Sequence, residues 1–430
     1  MSSFGQSSER WLLVSGADPA ADFSWLRNCW KRGAVVVICA AAEEAEARAA
    51  LMPQARRCMG RTTALGPGTE APLQKDLGAG VVLGSGGSHG RRRWVLQRPE
   101  GLRHAAGAAT SLAWVRSLKG LLTPLPLHHI SGLMPALRAE ALDCPHQWLD
   151  PQALKRPEGL PDCTGWGMSL VPTQLGRLLR SDAGACWLQR LGCIWVGGAA
   201  LPPQLARRCR ALGLPISTCY GSTETGAMVS CLAPQDFLRG SEDCGRALPH
   251  VLLGLADGSC SGGGHGVITV GGGSIARGAM EGGCLKPLDL VAGHWRSGDL
   301  GRLRQGRLEV LGRADNALNS GGETVFPEAI EQALQNDLPG LEALLVVGVP
   351  DADWGTRLEA LFRGPPSLVP ALRARVRALP PAQRPKAWHH CPDLAPNDQG
   401  KWERPAWGRW LTSAGTAPVK HGGEEGDHAG

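Results

Sequence analysis

The chain has 430 residues, of which 43% are hydrophobic and 20% charged, a balance that excludes a disordered or fibrous protein and leaves room for roughly two to three domains. Its 59 glycines and 32 prolines stop short of the roughly 25–30% at which low-complexity disorder takes over, which points to a loop-rich enzyme. A formal net charge of +6, from 45 basic and 39 acidic residues with no long same-sign block, argues against a nucleic-acid partner.

The N-terminal stretch MSSFGQSSERWLLVSG lacks a basic segment leading into an apolar core. The longest apolar run, Ala34 to Ala42, is about half of what a spanning helix needs. No transmembrane segment is therefore expected, and the protein reads as soluble and cytoplasmic. The 14 cysteines contain no Cys-x-x-Cys pair, so they are expected to be small buried hydrophobes in a reducing compartment. Short β-branched runs alternate with helical stretches, the pattern of α/β layers. Strands are expected at Gly80 to Leu83, Cys193 to Val196, Gly266 to Val270 and Leu344 to Val349. Helices are expected over Thr173 to Arg180, Pro203 to Leu212 and Phe326 to Leu338, two of them opening on a proline that suits a first turn. A strand-like run ending at Gly312 passes into the polar segment ADNALNSGGE, which predicts a large domain over 1–312 and a smaller one over 313–411. Residues 412–430 are small, polar and glycine-rich and read as a disordered tail.

Two segments carry chemistry. Gly84-Ser85-Gly86-Gly87-Ser88-His89-Gly90-Arg91-Arg92-Arg93 directly follows an apolar run, so a strand delivers a loop whose amides, hydroxyls and guanidinium groups suit a polyphosphate. It is neither a Walker A sequence nor Gly-x-Gly-x-x-Gly. The second segment, LPISTCYGSTETGAMVS, contains Tyr220, the chain's single tyrosine. An aromatic ring can stack on a purine, Gly221 and Ser222 offer amide and hydroxyl groups to phosphate, and Glu224 is a hard-oxygen ligand suited to Mg²⁺.

These motifs, with others in order along the chain, resemble the adenylate-forming (AMP-binding) superfamily of acyl-CoA synthetases and adenylation domains. YGSTETG resembles its tyrosine-glycine-x-threonine-glutamate motif, and Gly197, Gly198 and Ala199 resemble the strand end that lies along adenine. In SGDLG, Asp299 matches the aspartate that binds the ribose hydroxyls. In GRAD, Arg313 matches the ribose-contacting arginine and Asp315 the hinge. Ser320, Gly321 and Gly322 resemble the loop that approaches the pantetheine arm of CoA. Lys401, in PNDQGK, matches the lysine that bridges the acyl carboxylate and α-phosphate. The resemblance implies a large N-terminal multi-sheet α/β domain with a small mobile C-terminal α+β domain. It implies ATP, Mg²⁺ and CoA, with Lys401, Thr223 and Glu224 catalytic and Ser85, Gly86, Gly87, Ser88 and Arg92 on the phosphates. The phosphate loop departs from the superfamily's threonine-rich pattern, with Arg92 at the usual lysine position.

LPLHHISGL resembles an acyl-pocket motif that would put His129, Ser131 and Gly132 near the substrate, and SLVPTQLGRLL resembles the o-succinylbenzoate-CoA ligases of menaquinone and phylloquinone synthesis. Such a dicarboxylic substrate needs donors for its unreacted carboxylate. His129, Ser131 and Arg138 are the candidates, and Arg138 equally suits a solvated helix face. Alternatives left open are a ligase for another aryl or acyl acid and a nucleotide-binding homologue without catalysis. The sequence does not decide oligomeric state, a homo-oligomer included.

Overall fold

A computed structural model of the chain describes residues 10–16, 18–51, 62–64, 77–85, 92–256, 265–282, 284–335, 338–396 and 402–412. Gly86, Gly87, Ser88 and Lys401, and residues 413–430 of the expected tail, lie outside the described residues. Two compact units are present. One comprises Met1–Gly198, Cys209–Ser297 and Gly301–Val310, the other Ala199–Arg208, Gly298–Leu300 and Leu311–Gly430.

In the first unit, strands β1 (Arg10–Val14), β2 (Val35–Cys39), β3 (Thr62–Ala64), β4 (Gly80–Ser85) and β5 (Arg93–Gln97) form a sheet in the order β3-β1-β2-β4-β5. The hairpin of Gly278–Glu281 and Cys284–Pro287 continues it beyond β5. Strands β1, β2 and β4 are mutually parallel, and β3 and β5 are antiparallel to their neighbours. Strand β2 is apolar at every position because both faces are covered. Val36 and Ile38, with Val81 and Leu83, pack on Leu26, Leu102, Leu133 and Leu137 of helices Pro19–Lys31, Pro99–Ala109 and Ile130–Leu142. Val35, Val37 and Val82 turn the other way, onto Leu12, Trp94 and Met280.

A second sheet contains β6 (Leu121–Thr123), β7 (His146–Trp148), β8 (Gly167–Leu170), β9 (Cys193–Val196), β10 (Ile216–Ser222) and β11 (Ala227–Cys231). Their order is β7-β6-β8-β9-β10-β11. Every pair is parallel up to β10, and β11 then runs antiparallel to it. Ala109 and Ala139 pack on Leu121, Cys193, Trp195 and Met228 of this sheet. The helices thus form a layer between two sheets. This explains why Ile130–Leu142 is apolar nearly all round, with Ile130 and every residue from Gly132 to Ala139 buried.

The expected strand at Gly266 runs over His265–Gly272, and that at Leu344 over Ala343–Asp351. The expected helices are Pro172–Leu178, Pro203–Ala211 and Pro327–Gln335, each opening on its proline. In the second unit, Ala343–Asp351 pairs antiparallel with Gly355–Arg363, which pairs parallel with Ala387–His390. Ile330, Leu334, Leu372 and Val376 cover one face of this sheet, and Trp407 of helix Arg404–Thr412 covers the other. That helix is pinned by Arg404, 8% exposed, whose Nη1 and Nη2 donate to the two carboxylate oxygens of Glu331 at 2.5 and 2.8 Å. The described cysteines are free thiols, and no helix among the described residues is long and apolar enough to cross a membrane.

Candidate active site

Glu224 stands where the second sheet changes direction. Strands β10 and β11 form a hairpin whose register shifts between Tyr220 and Gly221, a bulge that re-aims the side chains after it. A single helical turn, Thr223–Thr225, closes the hairpin. Gly221 has no substitute here, because a Cβ would lie 1.8 Å from the Ala227 carbonyl oxygen. The Thr225 hydroxyl knots the turn, accepting from Ser222 N at 2.9 Å and donating to Ala227 O at 2.8 Å. From the first sheet, Gln97 Nε2 donates to Thr223 O at 2.6 Å, and Ala276 N donates to Glu224 O at 2.8 Å. The backbone around Glu224 is therefore held from three directions.

The Glu224 carboxylate is nearly buried and faces the end of β4. Ser85 Oγ donates to its Oε1 at 3.4 Å, and Arg93 Nη1 lies 3.7 Å from the same oxygen. Arg92 goes elsewhere: its Nη1 pairs with Glu43 Oε1 at 2.5 Å, and its Nε lies 3.6 Å from Glu46. The resemblance places Arg92 on the phosphates and gives Arg93, the last residue of the same loop segment, no separate role, and Gln97 carries no signal in the sequence. Arg92 stands just before strand β5 and Arg93 opens it, and their side chains meet different partners.

Tyr220, four residues before Glu224, is half-buried against Val229, Val251 and Ile268. Gly197 and Gly198 end strand β9, with Gly198 at φ +80, and a Cβ on Gly197 would lie 2.8 Å from Cys219 Sγ. Ala199 falls in the second unit. His129 caps helix Ile130–Leu142 in extended backbone, its ring 4.4 Å from that of His128. Gly132 admits the close approach of the preceding loop, since a Cβ there would lie 2.0 Å from Pro126 O. Ser131 is exposed.

Arg138, by contrast, is no member of a solvated helix face. It is 5% exposed, with its guanidinium 5.5 Å from the Trp195 ring centroid and the thiols of Cys219, Cys231 and Cys193 nearby. Its Nε has no hydrogen-bond partner, and no acidic group pairs with it among the described residues. Such a charge is costly to bury unless an anion meets it. His250, also buried, lies close enough to feel Arg138 and His104, and burial above all lowers its pKa to about 4.

Within the second unit, Arg313 donates through Nε and Nη2 to both oxygens of Asp315 at 3.0 Å, and its Nη1 lies 3.6 Å from Asp299 Oδ1. Gly321 and Gly322, at φ +59 and +83, make the two-residue turn between strands Leu318–Ser320 and Glu323–Val325, a conformation suited to glycine. The turn rests on Trp354, whose carbonyl accepts from Gly321 N at 3.0 Å and whose ring carries Lys386 Nζ 4.2 Å from its centroid. Ser320 is buried.

Residues 81–279 match the family described as AMP-binding enzyme. The structure titled o-succinylbenzoate CoA synthetase (MenE) from Bacillus subtilis in complex with the acyl-adenylate intermediate OSB-AMP superposes with a TM-score of 0.73 at 20% identity, covering 95% of this chain and 88% of that one. The chain thus shares the fold of that synthetase, and its residues 81–279 match the AMP-binding enzyme family. It is 31% identical over 295 residues to the 2-succinylbenzoate–CoA ligase of Salmonella typhimurium, covering 67% of this chain and 60% of that protein. With the same-named protein of Bacillus licheniformis it shares 28% over 283 residues, 64% of this chain and 58% of that protein. These matches span about three fifths of the relatives' length.

Proposed function

We propose that the protein is an ATP-dependent acyl-CoA ligase that converts o-succinylbenzoate to its acyl-adenylate and then to o-succinylbenzoyl-CoA, a step of menaquinone or phylloquinone synthesis. The observation that carries this reading is Arg138, a buried guanidinium without a carboxylate partner among the described residues. A dicarboxylic acid supplies the missing anion with its unreacted group, and a monocarboxylic acid does not.

The first step is attack of the other carboxylate on the ATP α-phosphate with loss of pyrophosphate. Positioning and charge stabilisation carry such a step. Glu224 and Ser85 offer hard oxygens that fit Mg²⁺, and the ion, when bound, neutralises polyphosphate charge. No group of three or more candidate ligands occurs among the described residues, so Glu224 would share the ion with phosphate oxygens and water. Arg93 adds positive charge beside it, Tyr220 stacks on adenine, and Asp299 with Arg313 takes the ribose. Lys401 meets the charge that develops between carboxylate and α-phosphate. In the second step the segment 313–411 swings about Asp315, withdraws Lys401 and brings the Gly321–Gly322 turn to the pantetheine arm, so that the CoA thiolate displaces AMP.

The test is acid-dependent exchange of pyrophosphate into ATP, with o-succinylbenzoate, benzoate and a fatty acid, and Lys401→Ala as control. Exchange with o-succinylbenzoate alone, lost in the control, supports the reading. AMP binding without exchange for any acid overturns it in favour of a homologue without catalysis.

A further inference from the structure

We propose that Cys219 and Cys231 are a reversible oxidation site whose disulfide shuts off adenylate formation. The two residues stand directly opposite each other on β10 and β11. Leu232 N donates to Thr218 O at 2.9 Å, so the adjacent pair, Thr218 and Leu232, is a hydrogen-bonded one. Hydrogen-bonded and open pairs alternate along an antiparallel ladder, which makes Cys219 and Cys231 an open pair with Cα atoms about 4.5 Å apart. That separation is inside the roughly 4.4–6.8 Å that a disulfide spans.

Their side chains also leave the sheet on one face, since both pack in the cluster of Cys193 and Trp195. Cys219 Sγ now donates to Val196 O at 3.4 Å. Turning toward Cys231 gives up only that weak bond. Cys219 is half-buried and within reach of a small oxidant, whereas Cys231 is 5% exposed. Burial pushes the two thiols up to about 11 and about 12, with Arg138 opposing the shift. Both are therefore protonated thiols at neutral pH and slow toward peroxide, with Arg138 the nearby charge that favours the reactive thiolate.

The chemistry balances with hydrogen peroxide as the oxidant. The Cys219 sulfur attacks one peroxide oxygen, giving a sulfenic acid and one water. The Cys231 sulfur then displaces the hydroxyl as a second water and forms the S–S bond. Two electrons pass from the two sulfurs to the peroxide, and both thiol protons end in water. The consequence follows from position. Cys219 immediately precedes the bulge at Tyr220 and Gly221 that aims Glu224, and its sulfur fills the space beside Gly197. A tether there fixes the twist of the hairpin and removes that filling.

The experiment treats the full-length chain with hydrogen peroxide, blocks remaining thiols, and cleaves after Glu224 so that the two cysteines fall on separate fragments. A Cys219–Cys231 linked pair that disappears with dithiothreitol is expected. Acid-dependent pyrophosphate exchange should fall more than tenfold on oxidation and return on reduction. Cys231→Ala should form no link and keep its exchange at the same peroxide dose. Oxidised cysteines without this link, or the link without loss of exchange, overturns the proposal. The exchange arm rests on the ligase reading and the peptide arm does not. Absence of exchange in the reduced protein therefore indicts that reading alone, and AMP affinity before and after oxidation then becomes the functional arm.

Discussion

Nη1 of Arg93 lies 3.7 Å from Oε1 of Glu224, while Arg92, one residue earlier, is paired with Glu43. Arg93 opens strand β5 and Arg92 lies just outside it, so the adjacent arginines serve different surroundings. Arg93→Ala should lower pyrophosphate exchange about tenfold through lost charge beside the polyphosphate, with an unchanged urea midpoint. Arg92→Ala should do the reverse, costing about 1 kcal/mol of stability in urea unfolding with exchange nearly intact.

Gly221→Ala forces a methyl group against the Ala227 carbonyl, where 1.8 Å is available. The hairpin must open to accept it. A loss of about 1–3 kcal/mol is expected, seen in chemical denaturation, together with loss of exchange because the bulge aims Glu224.

Arg138→Met keeps the stem and removes the charge. Charge-assisted hydrogen bonds of about 1.5–3 kcal/mol would be lost toward the unreacted carboxylate, so kcat/KM for o-succinylbenzoate should fall roughly 10- to 150-fold. The melting temperature should hold or rise, since an unpaired buried charge is gone. An equal effect on a monocarboxylic acid would remove Arg138 from substrate recognition.

The His250 imidazole is held neutral by burial and by His104 and Arg138, with its pKa lowered to about 4. A histidine with depressed folded-state pKa binds its proton more readily when unfolded, so stability is full above about pH 6.5 and falls as pH drops toward 4. At pH 5 the contribution amounts to about 2 kcal/mol. His250→Gln should flatten the urea midpoint between pH 7 and 5.

Replacing Arg404 by Leu leaves the buried Glu331 carboxylate without its bidentate partner. A cost of about 3–5 kcal/mol is expected, read as early unfolding of the second unit by hydrogen exchange at Leu344 to Val347.

Much of this was legible in the sequence for physical reasons. The strands Gly80–Ser85 and Cys193–Val196 announce themselves as apolar runs because they are covered on both faces, and the helices announce themselves by proline in the first turn. The segment around Glu224 is legible through glycines whose backbone permits nothing else, Gly221 above all. What was hidden depended on tertiary placement. Nothing local distinguishes Arg93 from Arg92 until their partners are placed. The bond from Gln97 to the Thr223 carbonyl joins residues 126 apart. Arg138 suits a solvated face by its charge alone, and only the second sheet buries the part of the helix that carries it.

The first sheet carries a consequence for biosynthesis. Strand β5 is bordered by β4 on one side and by Gly278–Glu281 on the other, with Leu96 opposite Gly278. A nascent chain on the ribosome therefore presents the outer edge of β5 with its ladder groups unmatched until residue 281 has emerged. Exposed edges of this kind recruit foreign strands, so translational stalling between Gln97 and Gly278 creates the interval in which chaperone capture matters most.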